Sequence, residues 1–158
     1  MTNKKVNNDY WMGLIGKISE ASTCRVAIGT LLIQKNVIVG VGYLGSLSGD
    51  YHCADKGCLY VDNNGLFGSG EKVSCIRTIH SELNAVLKCS ARGVSNKWLE
   101  CYCTYQPCLN CLKTLLVIGV RTIIYIKPYI DVLRDKYLEN LHPDIKSTLY
   151  IAQYEEAE

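Results

Sequence analysis

Two short segments set metal-binding side chains at the mouths of two apolar helices, and they constrain this chain more than any other feature. RTIHSELNAVL, residues 77–87, places His80 and Glu82 two positions apart, ahead of Leu83, Val86 and Leu87, which the helical spacing assigns to a core. QPCLNCLKTLL, residues 106–116, places Cys108 and Cys111 one helical turn apart behind Pro107, ahead of Leu112, Leu115 and Leu116. A first helical turn carries unpaired N–H groups and the positive end of the dipole, which favour thiolate over thiol. If the strands flanking the second helix run parallel, both mouths open on one edge of a sheet. One imidazole and two thiolates then suit tetrahedral zinc, with the fourth position left to water, as in catalytic sites. Glu82 would flank the metal without ligating it, placed to take a proton from that water and pass it to a substrate nitrogen.

The remaining chain reads as an α/β unit. Trp11, Leu14, Ile15 and Ile18 follow helical spacing and predict an amphipathic helix over 9–21. RVAIGTLLI (25–33) and VIVGVGY (37–43), joined by the polar QKN, suit a hairpin. A helix from about Ile79 ends near Gly93, LECYCTY (99–105) is a strand, Cys108 to Gly119 a helix and TIIYIK (122–127) a strand. Residues 130–141 read as a helix with Ile130, Leu133, Tyr137 and Leu138 inward, and STLYIAQY (147–154) as the closing strand. Helices and strands in that alternation imply a sheet with helices on both faces. The 158 residues are expected to form a single domain, with a long Cys-rich loop over 45–78.

Composition narrows the function. A net charge of +2 offers no stripe for a long nucleic acid, although one or two cations suffice for a small anion. The N-terminus lacks an apolar signal core, and no apolar run is long enough to span a bilayer, so a cytoplasmic protein is expected. Nine cysteines in a reducing compartment read as ligands, catalysts or buried apolar groups, and an odd number cannot all pair.

Each fragment alone has a bland reading: His80 as a cap, C-x-x-C as a closed knuckle or redox pair, Glu82 as a dipole partner. H-x-E followed by P-C-x-x-C is, however, the signature of zinc nucleobase deaminases. With STCR (22–25), GYLG (42–45), HCADKGC (52–58), CIRTIHSELNA (75–85) and QPCLNC (106–111), the chain resembles deoxycytidylate (dCMP) deaminases of the cytidine deaminase superfamily, from about Ala21 to Tyr125. The resemblance implies a three-layer α/β/α fold on a five-stranded mixed sheet, and hydrolysis of dCMP to dUMP and ammonia in an oligomer, usually a hexamer. It also implies that His80, Cys108 and Cys111 hold the catalytic zinc and that Glu82 shuttles protons. Asn84 matches a residue that meets the nucleotide sugar, and Ser81 one that meets the base through its backbone. Arg25, with the Ser22–Cys24 turn, matches a segment near the phosphate. Tyr125 stands where an aromatic borders the base pocket, or is a core tyrosine.

Two positions depart from the family pattern. Ser81 replaces an alanine, and Leu44 in Gly42-Tyr43-Leu44-Gly45 replaces the asparagine of GYNG. In regulated members that motif binds dCTP as activator and dTTP as inhibitor, with Mg2+ accompanying the triphosphate; Leu44 cannot make the hydrogen bonds of an asparagine. In the Cys-rich loop, Cys24, Cys53, Cys58 and Cys75, with His52 in reserve, are expected to clamp a second, structural zinc. Cys89, Cys101 and Cys103 fall on helix or strand patterns and are assigned no chemistry. Rival functions are a sister deaminase, dCTP-directed or bifunctional for example, and a non-enzymatic zinc-dependent assembly or DNA-uptake protein. Glu82 argues against the latter, since a purely structural zinc has no use for it.

Overall fold

The computed structural model describes residues 4–60, 75–93 and 97–156. Its centre is a five-stranded sheet in the order β2-β1-β5-β6-β7, built from β1 (Gly29–Gln34), β2 (Val37–Tyr43), β5 (Leu99–Tyr105), β6 (Val120–Lys127) and β7 (Tyr150–Gln153). β1 pairs antiparallel with β2 and β5, whereas β5–β6 and β6–β7 are parallel. The sheet is therefore mixed, and the α/β/α expectation holds. Lys35 and Asn36, with φ of 50° and 62°, make the two-residue turn between β1 and β2.

Alternation along the strands separates two cores. Leu31, Ile33, Tyr102 and Ile124 face α1 (Lys4–Ser19) through Trp11, Met12 and Ile15. Leu32, Cys101, Cys103 and Ile123 face α3 (Ser81–Ala91) and α4 (Leu109–Val117), where Ala85, Val86, Cys89, Leu112 and Leu115 are buried. Cys89, Cys101 and Cys103 are thus small core groups. The β5–α4–β6 crossover is what parallel pairing requires, and it puts the α4 N-terminus at the carboxyl end of β5, where open α/β sheets bind ligands.

Three details differ from the sequence reading. Leu83 and Leu87 are 38% and 55% exposed, because α3 turns its small residues Ser81, Ala85 and Cys89 to the sheet instead. Those residues pack on two glycines of β2. A Cβ on Gly42 would overlap the Ser81 carbonyl, and one on Gly40 would lie 2.6 Å from the Ala85 carbonyl oxygen. Residues 130–141 contain a shorter helix, α5 (Val132–Glu139), capped by the Asp131 carboxylate accepting from Arg134 N–H. That cap sets the phase: Ile130 and Leu133 are 89% and 68% exposed, and Arg134 is the buried group. A further turn, α6 (Pro143–Lys146), precedes β7, which is shorter than residues 147–154.

The expected loop over 45–78 is partly ordered by β3 (Gly45–Ser46), α2 (Cys53–Lys56) and β4 (Thr78–Ile79), with β3 and β4 paired antiparallel. Residues 61–74 of that loop lie outside the described residues.

Candidate metal centre and active-site cavity

His80 and Cys108 occupy the N-cap positions of α3 and α4, yet neither side chain makes a capping hydrogen bond. Both turn toward each other instead. His80 Nδ1 lies 3.7 Å from Cys108 Sγ and 3.3 Å from Cys111 Sγ. Zinc bonds of roughly 2.0–2.3 Å place tetrahedral ligands roughly 3.5–3.8 Å apart, so this donor set fits such an ion. The thiol pair shares one proton. The hydrogen bond from Cys111 holds Cys108 down at about 4, and the same bond raises Cys111. The hydrogen bond with Cys108 also raises His80. A divalent cation would displace the remaining proton.

Glu82, 6% exposed, stands in the first turn of α3. Burial raises its carboxyl above the usual range, which favours the protonated form. The Ser81 hydroxyl donates to Glu82 Oε2 at 3.2 Å, and Ser81 Oγ lies 2.7 Å from Thr30 Oγ1 of β1. With the Ser81 proton given to Glu82, Thr30 must donate to Ser81. The carboxylate also takes a hydrogen bond from its own backbone and meets the Cys111 thiol, which ties it to the zinc-fitting group.

A cavity of about 330 Å³ opens on these groups. His80, Ser81, Glu82 and Cys108 line it together with Arg25, Val26, Ile28 and Leu44. Tyr105, Gln106, Tyr129 and Thr78 complete the wall, with Cys24 and Cys75. Tyr105 and Gln106 were overlooked in the sequence, although they end the strand that delivers Cys108. Tyr129 carried no such signal. The remaining candidates lie elsewhere. Asn84 Nδ2 donates to the Tyr43 carbonyl at 3.0 Å, tying α3 to the end of β2, and Tyr125 packs against the core under α3 and α4. Of Gly42–Gly45, Leu44 reaches the cavity, Gly42 seats α3 and Gly45 begins β3, while Tyr43 lies under the Lys88 ammonium.

The turn carrying Cys108 is braced by residues that sequence reasoning missed. Asp131 accepts from Leu109 N–H at 2.8 Å, and buried Arg134 donates through Nη1 to the Pro107 carbonyl at 3.1 Å.

A second convergence joins Cys24, Cys53, Cys58 and Cys75, whose four sulfurs all lie within 4.8 Å of one another. Cys24–Cys58 and Cys53–Cys75 are each 3.6 Å apart, far beyond a disulfide and close to the edge of a tetrahedral thiolate site. A hydrogen bond with Tyr60 lowers Cys58 to about 7, and Leu59 N–H donates to Cys75 Sγ. His52 is occupied otherwise, with Nδ1 3.2 Å from Thr23 Oγ1.

ComE operon protein 2 of Bacillus subtilis (strain 168) is 37% identical over 123 residues, which are 77% of this chain but 60% of that protein's length. Deoxycytidylate deaminase of Enterobacteria phage T4 is 25% identical over 70% of this chain and 72% of its own. Among solved structures, the dCMP deaminase of cyanophage S-TIM5, crystallised with dCMP and dUMP, superposes with a TM-score of 0.67 at 21% identity. That match covers 92% of this chain and 95% of the cyanophage chain, and shows a shared fold. No helix among the described residues is long and apolar enough to cross a membrane. The model of the cytidine and deoxycytidylate deaminase zinc-binding region matches residues 6–127, and the chain belongs to that family.

Proposed function

We propose that this protein hydrolyses dCMP to dUMP and ammonia, supplying dUMP for thymidylate synthesis. The observation that carries the reading is a buried, proton-favouring Glu82 on the same cavity wall as the zinc-fitting His80 and Cys108, with Arg25 lining that cavity too. His80, Cys108 and Cys111 would hold zinc, which when bound supplies Lewis-acid activation of the water added to the ring. The chain's own groups do the rest. Glu82 takes one proton from that water as its oxygen joins C4 of cytosine and delivers it to ring N3. It then takes the second proton from the new C4 hydroxyl and delivers it to the amino group, which leaves as ammonia as the C4 carbonyl forms. The Thr30–Ser81 hydroxyls keep the carboxylate aimed, and Arg25 meets the phosphate. In this reading Ser81 also meets the base through its backbone, while Asn84 and Tyr125 support the pocket from behind, through the Tyr43 carbonyl and the core.

The wider reading has three parts. Cys24, Cys53, Cys58 and Cys75 hold a structural zinc. The protein is a cytoplasmic homohexamer, with exposed Val117, Ile130, Val132 and Leu133 as apolar positions that assembly would cover. Its Gly42–Gly45 turn keeps a weak response to dCTP and dTTP, carried with Mg2+. Assays of the purified protein against dCMP, dCTP, cytidine, and dCMP with dCTP test the activity. Turnover should be highest on dCMP. A preference for dCTP would reassign the substrate, and inactivity on all of them would overturn the enzymatic reading.

A further inference from the structure

The four-thiol group and the zinc-fitting His80 group are neighbours across one cavity, since Cys24 and Cys75 line the wall that His80, Glu82 and Cys108 also line. Arg25 is held from two sides by this thiol group. Its backbone follows Cys24 directly, and its guanidinium lies 5.5 Å from the centre of the Tyr60 ring. Tyr60 is two residues past Cys58, and Cys58 Sγ lies 3.6 Å from Cys24 Sγ. The backbone support and the stacking partner of Arg25 therefore hang from sulfurs of a single group.

We propose that the metal state of the Cys24–Cys53–Cys58–Cys75 group sets the grip on the substrate's phosphate by positioning Arg25, independently of the chemistry at Glu82. The inference rests on the reading of this cavity as a nucleotide site. The Cys24 turn is anchored beyond the group, with Thr23 N–H and the Ser22 hydroxyl both donating to the Leu44 carbonyl. The segment that carries Cys58 and Tyr60 is held differently. α2 is a single turn, and the backbone ties there are Ala54 N–H to the Thr23 carbonyl, Ile76 N–H to the Leu59 carbonyl and Leu59 N–H to Cys75 Sγ, which join pieces of the same group. The donor set fits zinc, and an ion bound by four thiolates would link Cys24 to the Cys58–Tyr60 segment. Without that link, the ring and guanidinium separate and Arg25 regains its rotamer freedom. His80, Glu82, Cys108 and Cys111, by contrast, stand on α3 and α4, which pack on the central sheet.

The test compares dCMP with deoxycytidine, which differs by the phosphate alone. Cys58→Ser should contain one zinc fewer than wild type by elemental analysis. Its KM for dCMP should rise about 10-fold or more, the range of a lost charge-assisted bond to phosphate. Its kcat, and its kcat/KM on deoxycytidine, should stay within a few-fold. Calorimetric titration of dCMP into Glu82→Ala, with and without Cys58→Ser, reads the same loss as binding without turnover. Tyr60→Leu keeps the metal and guards against a Cys58→Ser protein that does not fold. It should retain the full zinc count yet weaken dCMP by roughly 2–5-fold, as expected for a semi-exposed cation–π contact.

Unchanged dCMP binding in Cys58→Ser despite the lost zinc would overturn the inference. So would a wild type whose zinc content does not respond to Cys58→Ser, or equal losses on dCMP and deoxycytidine. A wild type that binds dCMP but deaminates neither compound would remove the proposed reaction instead, leaving the calorimetric comparison to decide this point.

Discussion

Glu82 is surrounded by protein on nearly every side, and its carboxyl is raised by burial. A carboxyl raised in this way holds a proton more readily than a free one, which suits a shuttle. Glu82→Ala should keep the zinc of the His80 site and lose at least about 10²-fold in turnover on dCMP. A variant with near-normal turnover would sink the mechanism. Ser81 makes a different prediction, because its hydroxyl is fully buried between Thr30 and Glu82. Ser81→Ala should lower turnover only a few-fold, since the buried first turn of α3 still places Glu82 without the aiming bond, yet strand the buried Thr30 hydroxyl at about 1–3 kcal/mol of stability. Adding Thr30→Val should restore most of that, measured by denaturant unfolding with saturating zinc. A double variant no more stable than Ser81→Ala would show that the two hydroxyls do not support each other. His80, Glu82, Cys108 and Cys111 were legible because their spacing within a helical turn is written in the sequence. Thr30 was not, since its partner lies 51 residues away and nothing local marks it.

At the scale of elements, α4 begins where it does because the N-cap of α5 and one residue of that helix hold its first turn. Asp131 takes Leu109 N–H with one oxygen and Arg134 N–H with the other, capping both helices at once. Arg134, 3% exposed, satisfies the Pro107 carbonyl and pairs with Asp135 at 2.8 Å. Asp131→Ala should therefore cost about 0.5–2 kcal/mol, the range for a lost cap. It should also speed loss of zinc from the His80 site to a chelating dye, with the four-thiol site unaffected. Release at the wild-type rate would mean that the Cys108 turn stands without this brace. The strands and the α3 and α4 starts were readable, since alternation and apolar spacing report directly on burial. Two phases were not. Leu83 and Leu87 promised a core face, but Gly40 and Gly42 admit only the small face of α3. Ile130 and Leu133 promised another, but the Asp131 cap and the bond from Arg134 to Pro107 rotate α5 away from it. Both corrections come from tertiary partners that periodicity cannot see.

For the whole molecule, the open question of control converges on the Gly42–Gly45 turn. Leu44 is pinned by its N–H to the Ile28 carbonyl, while its own carbonyl accepts from Thr23 N–H and the Ser22 hydroxyl. Its side chain lines the cavity that holds Glu82, so an effector at this turn would press on the substrate's own wall. An activator shifts a protein only by its differential affinity for the active state, typically about 1–3 kcal/mol. The hydrogen bond that an asparagine would supply and Leu44 cannot is worth about 0.5–1.5 kcal/mol, a large part of that difference. The expected protein is an oligomer by light scattering, with weak dCTP activation and weak dTTP inhibition in dCMP saturation curves. Leu44→Asn should recover part of both responses, and should also shift KM for dCMP because the side chain faces the cavity. Strongly sigmoidal wild-type curves that flatten in Leu44→Asn would show that the leucine itself transmits control through this wall.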